Sequence, residues 1–352
     1  MLKFAAIFFL MLVHESFQTG IDLQDYSRVM KKYPSWSFKF ESIDSIVERK
    51  ATRLKRANPD LDRADLKKRL KNHLGGEGVT HFLRKVDDPN WPRNPPKEFD
   101  ARKEWKDCSH LISWLGDESA CNTEGPVVAA SVLSDRYCVY TNGTHTQKLS
   151  AEVLAGCAEM CTRMKAVGYS LKHAETHGIP TGGYYGEKPL ECVPYNHEPC
   201  AHFSNVSISN LRPCSELVRY DYECPIECTN KKHGKTMREE LVYLSAWYGL
   251  PNNEFSMRRD IYTYGPIIAI MELYDDFLKK PDGMYRHERG PKMLDFVKYV
   301  KIIGWGEEDN TRYWLAVNGW DQWGSDKVFK IPRGVDHVSI EYAPFGGVFG
   351  EV

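Results

Sequence analysis

The sequence predicts an α+β protein made of two unlike halves, helix-rich first and strand-rich later. Residues 124–134, EGPVVAASVLS, read as a helix with Pro126 in its first turn and Val128 and Val132 one turn apart. From Pro266 onward, PIIAIMEL, VKYVKIIGW, RYWLAVNGW and KVFKI are short, β-branched and aromatic, and glycines and charged turns break them apart. With 352 residues, 42% of them hydrophobic, the chain can bury the core of one large domain or two modest ones.

Each segment follows in order. MLKFAAIFFLMLVHESFQTG places Lys3 before an apolar run from Phe4 to Val13, the shape of a secretory signal and too short to span a bilayer. A buried N-terminal helix fits the charge order and length less well. No A-x-A-like cleavage site follows, so the cut is placed between Ser16 and Gly20, and residues 1–18 are read as a signal peptide. The destination is outside the cell or a lysosome-like compartment. Residues 21–90 lack cysteine and carry ERKATRLKRANPDLDRADLKKRLKNHLGG, with Val47, Leu54, Leu61, Leu66 and Leu70 at helical spacing. The basic residues there read as a solvated helix face rather than a site for an anionic partner. DDPNWPRNPP, residues 87–96, holds four prolines in ten residues and makes an extended, exposed connector suited to processing.

All 10 cysteines lie between Cys108 and Cys228, an even number in an exported chain, and predict a disulfide framework. The C-x3-C spacings at Cys157/Cys161 and Cys224/Cys228 are also compatible with zinc, but export favours disulfides; no metal and no cofactor is expected. The sequons at Asn142 and Asn205 suit glycosylated surface loops. A formal net charge of -1, from 47 basic and 48 acidic residues, provides no field to recruit nucleic acid or an anionic membrane.

Several motifs, in this order, carry a resemblance: FDARKEW (99–105), the segment ending SDRYC, LSAEVLAGC (149–157), ECVPY (191–195), YGPI (264–267), IIGWG (302–306) and YWLAVNGW (313–320). Together they resemble the papain family of cysteine proteases, and the cathepsin B branch in particular, because Cys192 to Cys214 sits where that branch carries its occluding loop. The resemblance implies a papain-like two-lobed fold, with a helical left lobe and a β-barrel-like right lobe, over residues 95–352. It also implies an inhibitory helical prosegment over residues 19–94, lying in the cleft.

Such a protease needs a thiolate at a helix N-terminus, a histidine base, a group that orients the imidazole, and an oxyanion donor. Ungapped counting from the flanking motifs puts the nucleophile's place at Glu124, three residues after Cys121. The oxyanion glutamine falls on Glu118 and the histidine on Lys298; only the asparagine is retained, as Asn318. A carboxylate is a much weaker nucleophile than a thiolate, a lysine of ordinary pKa stays protonated at neutral pH, and Glu118 has no N–H to donate. Glu124 and Lys298 keep the signs of the thiolate–imidazolium pair, so a salt bridge between them is expected.

The resemblance implies disulfides Cys108–Cys138, Cys157–Cys161, Cys192–Cys228 and Cys200–Cys214, leaving Cys121 and Cys224 either paired with each other or free. Cleft positions depart from the family as well. The glycine-rich wall reads Lys165-Ala-Val-Gly168, the specificity-pocket carboxylate falls on Ala343, and the occluding-loop histidines fall on His202 and Phe203, while Trp320 completes the asparagine motif. Gly168, Trp320, His202 and Ala343 are therefore the candidate binding residues. One reading is a secreted pseudoenzyme that binds a peptide, inhibitor or protein. A second is an active hydrolase with an unrecognised nucleophile, such as Ser119 or Thr123, and a third is a storage glycoprotein without a specific ligand.

Overall fold

The computed structural model describes residues 38–41, 43–57, 62–74, 81–84, 94–121, 123–157, 167–187, 191–202, 210–218, 223–278, 283–288, 290–321, 323 and 326–350. The expected signal peptide, Asn205, Phe203, Lys165 and Cys161 lie outside them.

The charged N-terminal segment forms β1 (Phe38–Glu41), α1 (Ile43–Ala57), α2 (Arg63–Leu74) and β2 (His81–Arg84). The single helical pattern of the sequence becomes two helices because Pro59 follows the end of α1 and cannot continue it. Val47, Leu54 and Leu66 are buried, so the helices dock by their apolar stripe. Lys50 is also buried, with its ammonium 5.0 Å over the Tyr342 ring.

Next come β3 (Phe99–Asp100), α3 (Ala101–Glu104), α4 (Ser109–Ile112), α5 (Glu124–Tyr140), α6 (Ala151–Gly156) and α7 (Val167–Thr176). Helix α5 is buried almost all round, which is why its sequence is apolar without a clear polar face. The strand-rich part holds α8 (Met237–Glu240), β4 (Ala246–Gly249), α9 (Glu254–Tyr264), β5 (Ile267–Tyr274), β6 (Met293–Glu308), β7 (Thr311–Val317), β8 (Val328–Pro332) and β9 (Phe345–Val348). The strands join in the order β1-β2-β4-β9-β5-β6-β7-β8, with β3 beside β6. Only β2–β4 is parallel, so the N-terminal segment extends the sheet of the strand-rich half.

Buried charges pin α5 to the sheet. The Lys301 ammonium on β6 lies 2.7 Å from Asp135 and donates to the Leu111 and Trp114 carbonyls and to Ser131 Oγ. Burial pushes the Asp135 carboxyl up to about 6 and pulls Lys301 down. Arg136 pairs with Asp260 of α9 and donates to the Pro266 and Gly347 carbonyls at 2.6 Å.

The disulfides correct the sequence expectation. Cys108–Cys138, Cys192–Cys228 and Cys200–Cys214 are formed, but Cys157 bonds to Cys224, at a Cα separation of 4.3 Å, rather than to Cys161. Cys121 is disulfide-bonded too, and no described cysteine is free, so Cys121 and Cys224 are neither a mutual pair nor free thiols. The physical reason is visible at Gly156: a Cβ there would lie 2.4 Å from the Glu223 carbonyl oxygen. The end of α6 packs directly on the 223–224 backbone, which brings Cys157 onto Cys224 and demands glycine at the preceding position.

Candidate functional site

The site forms where the loop before α5 meets β6 and the loop after β7. Glu124 opens α5; its N-cap, Thr123, makes no side-chain cap, because its hydroxyl donates instead to the Glu118 carbonyl at 2.8 Å. The Tyr195 hydroxyl reaches the same carbonyl at 3.1 Å, so the 118–123 loop is held by two hydroxyls. A Cβ at Gly319 would lie 2.4 Å from the Gly116 carbonyl oxygen. Glycine at 319 therefore allows the two loops to touch, and the Trp320 indole N–H donates to Glu118 Oε1 at 2.9 Å.

Lys298 projects from β6 into this junction and is 2% exposed. Its ammonium hydrogen-bonds the Glu124 carboxylate, lies 3.6 Å from Glu118 Oε1, and sits 4.2 Å over the Trp320 ring. The salt bridge expected from the sequence is present, and it is part of a larger network. Sequence reasoning missed Asp117. This wholly buried carboxylate accepts from the Ser119 amide at 2.7 Å and lies 3.0 Å from His202 Nε2 through both oxygens. The available signal was its position directly before Glu118.

His202 stands on the loop closed by Cys200–Cys214, where Ala201 and Cys214 exchange backbone hydrogen bonds with residues of the opposite arm. Its ring stacks on Trp320 at 5.5 Å and its Nδ1 is 3.6 Å from Glu118. Three carboxyl groups thus face one ammonium and one imidazole. Burial raises the Glu118 carboxyl, but His202, Lys298 and the Trp320 hydrogen bond outweigh it and hold the group at about 2. Burial, with the Glu118 charge adding to it, pushes Glu124 up to about 7 despite Lys298. Lys298 and His202 both rise above their ordinary values, because the carboxylates outweigh burial.

Asn318 is fully buried and neither atom of its amide has a hydrogen-bond partner among the described residues. Gly168 is buried in the first turn of α7, and Ala343 is half-buried in the turn before β9; neither joins the network. Asp117, Glu118 and His202 have the donor types of a metal site and lie close enough together. These groups are already engaged within the protein, Asp117 with His202, and Glu118 with Lys298 and the Trp320 indole. Cys200 and Cys214 beside it are joined to each other and offer no thiolate.

Residues 95–348 match the family described as papain family cysteine protease. The chain belongs to the papain family. Cathepsin B-like cysteine proteinase 4 of Caenorhabditis elegans is 32% identical over 259 residues, which cover 72% of this chain and 75% of that protein. The cathepsin B-like cysteine proteinase of Schistosoma japonicum is 32% identical over 250 residues, covering 70% and 71%. Among solved structures, procathepsin B S9 from Trypanosoma congolense superposes with a TM-score of 0.59 at 28% identity, over 74% of this chain and 79% of that one. Digestive procathepsin L2 from Tenebrio molitor larval midgut, at 19% identity and a TM-score of 0.51 over 73% and 70% of the two chains, is similar in fold alone. This papain-family chain is thus cathepsin B-like, with the family's α+β fold. Among its described residues no helix is long and apolar enough to cross a membrane.

Proposed function

We propose that this chain is an exported, catalytically silent cathepsin B-like protein that acts by binding a peptide, an inhibitor or a protein through its cleft region rather than by cleavage. One observation carries the reading. The Lys298 ammonium is locked between Glu124 and Glu118 at the start of α5, where the family places thiolate, imidazole and oxyanion donor. A lysine held protonated cannot serve as base, and a Glu118 carboxylate that already accepts the Trp320 N–H offers nothing to a developing oxyanion. The Asn318 amide, without a hydrogen-bond partner among the described residues, fits the same reading, since Lys298 stands where the family places the imidazole that it orients.

The two hydroxyls nearest the helix start do not favour an active hydrolase. Thr123 is buried and donates to the Glu118 carbonyl, and Ser119 belongs to a loop held by Asp117. In this proposal residues 1–18 are the signal peptide, 19–94 the prosegment and 95–352 the papain-like domain. An inactive protein cannot remove its own prosegment, so another protease does so or the segment stays in the cleft. Asn142, exposed and followed by exposed Thr144, is the glycosylation position offered by the described residues.

Hydrolysis of dipeptidyl fluorogenic substrates, after a second protease has removed residues up to about Pro95, tests the reading. The native protein is expected to be silent and a Glu118→Gln/Glu124→Cys/Lys298→His variant to cut. Cleavage by the native protein would sink the proposal.

A further inference from the structure

Away from this site, three guanidinium groups gather around one carboxylate at the start of α9. Arg312 Nη1 donates to Glu254 Oε1 at 2.6 Å, and Arg333 Nη1 donates to Oε2 at 2.6 Å. Arg258, one turn further along α9, brings a third positive charge to the same carboxylate, with its guanidinium 5.8 Å over the Trp305 ring and 5.9 Å over Phe255. Arg333 is only 5% exposed and stacks 5.6 Å over Trp314. Glu341, the other acid beside this loop, is committed to the Trp314 indole N–H and to the Gly334 and Asp336 amides.

The cluster therefore carries more positive charge than its partner neutralises. Burial and mutual repulsion hold both Arg258 and Arg333 below the ordinary arginine value, although Glu254 opposes this. The Nε donors of Arg258 and Arg333 are buried without a hydrogen-bond partner among the described residues. Gly334 holds the loop against the group: its φ is +83°, and a Cβ there would come within 2.8 Å of both Arg312 Nη2 and Glu254 Oε2.

We propose that Arg258, Arg312 and Arg333 form a binding site for a tetrahedral oxyanion, sulfate or phosphate, seated beside Glu254. Guanidinium suits such an anion because its planar fork of N–H donors matches two oxygens at once. The site lies at the N-terminal end of an 11-residue helix, whose dipole favours negative charge. The Asn253 side chain already caps the Phe255 and Ser256 amides, so the arginines rather than the helix backbone supply the contacts. The anion is either the free ion or an ester group on a larger molecule such as a sulfated glycan.

Calorimetric titration of the full chain with sodium sulfate, sodium phosphate and a sulfated disaccharide, at ionic strength held constant with sodium chloride, tests this. Saturable binding is expected, weakened at least about ten-fold in Arg258→Gln/Arg312→Gln. Arg212→Gln, which removes an exposed arginine paired with Glu198 elsewhere, is expected to leave it unchanged. Absence of saturable binding, or equal binding in both variants, overturns the site. Arg312→Lys keeps the charge and loses the fork; should the double variant not fold, undiminished affinity in this one overturns the proposal instead. Tighter binding of the disaccharide than of either free ion assigns the ester, and equal binding assigns the free ion.

Discussion

The Lys298 ammonium is shared by two carboxylates, in direct contact with Glu124 and 3.6 Å from Glu118, while Glu124 has Lys298 as its only cationic partner in the network. Loss of one partner is therefore not equivalent to loss of the other. Removing the lysine leaves Asp117, Glu118 and Glu124 facing His202 alone. Removing Glu124 leaves Lys298 still paired with Glu118.

Thermal unfolding at pH 5 is expected to show Lys298→Met destabilised by about 3 kcal/mol or more, as for a buried pair deprived of one partner. Glu124→Gln should lose less than about 1 kcal/mol, since Glu124 is already protonated at that pH. Equal losses in the two variants would refute the shared-cation arrangement.

The pH dependence follows from the opposed carboxyls. Glu124 rises in the fold from 4.5 to about 7, so between those values the native state holds the proton more firmly than the unfolded chain, and stability falls as pH rises. Glu118, lowered to about 2, contributes stability that is present above 4.5 and disappears as pH drops toward 2. Unfolding curves from pH 4.5 to 8 should lose about 3 kcal/mol or more, because Asp135, raised to about 6, and His202, also raised, add to the Glu124 contribution; Glu124→Gln should reduce that loss without abolishing it. A native stability that climbs over this window contradicts the assignment.

His202 is raised above its ordinary 6.5 by Glu118 and Asp117 against the effect of burial. Its contribution is fully present below 6.5 and is lost once pH passes the folded value. Limited proteolysis of the loop between Cys200 and Cys214 should therefore accelerate in alkali. His202→Asn should be cut at a rate independent of pH, and an unchanged pH profile in that variant would assign the effect to another group.

Asn318 invites an unusual substitution. A buried amide without a hydrogen-bond partner among the described residues gains little from its polarity, so Asn318→Leu is expected to leave the melting temperature unchanged or to raise it, by up to about 1 kcal/mol of stability. In a Lys298→His background the same change should be harmful, because the imidazole gives the amide a partner. A double-mutant cycle reads the coupling, and additivity within about 0.5 kcal/mol would deny it.

Much of this protein was legible in its sequence because the signals are local or motif-bound. The apolar run behind Glu124 made a buried helix, and the β-branched segments after Pro266 made β5 to β8. Opposite charges at 124 and 298 also announced their ion pair. Other features needed the tertiary structure, because they depend on which backbones touch. The packing of Gly156 on residue 223 decided that Cys157 bonds to Cys224, a choice that spacing alone leaves open. The approach of Gly319 to Gly116 brought Trp320 onto Glu118, and the disulfide-closed loop carried His202 onto Asp117. Residues 117 and 202, or 254, 312 and 333, lie far apart along the chain, and only the fold sums their charges in one place.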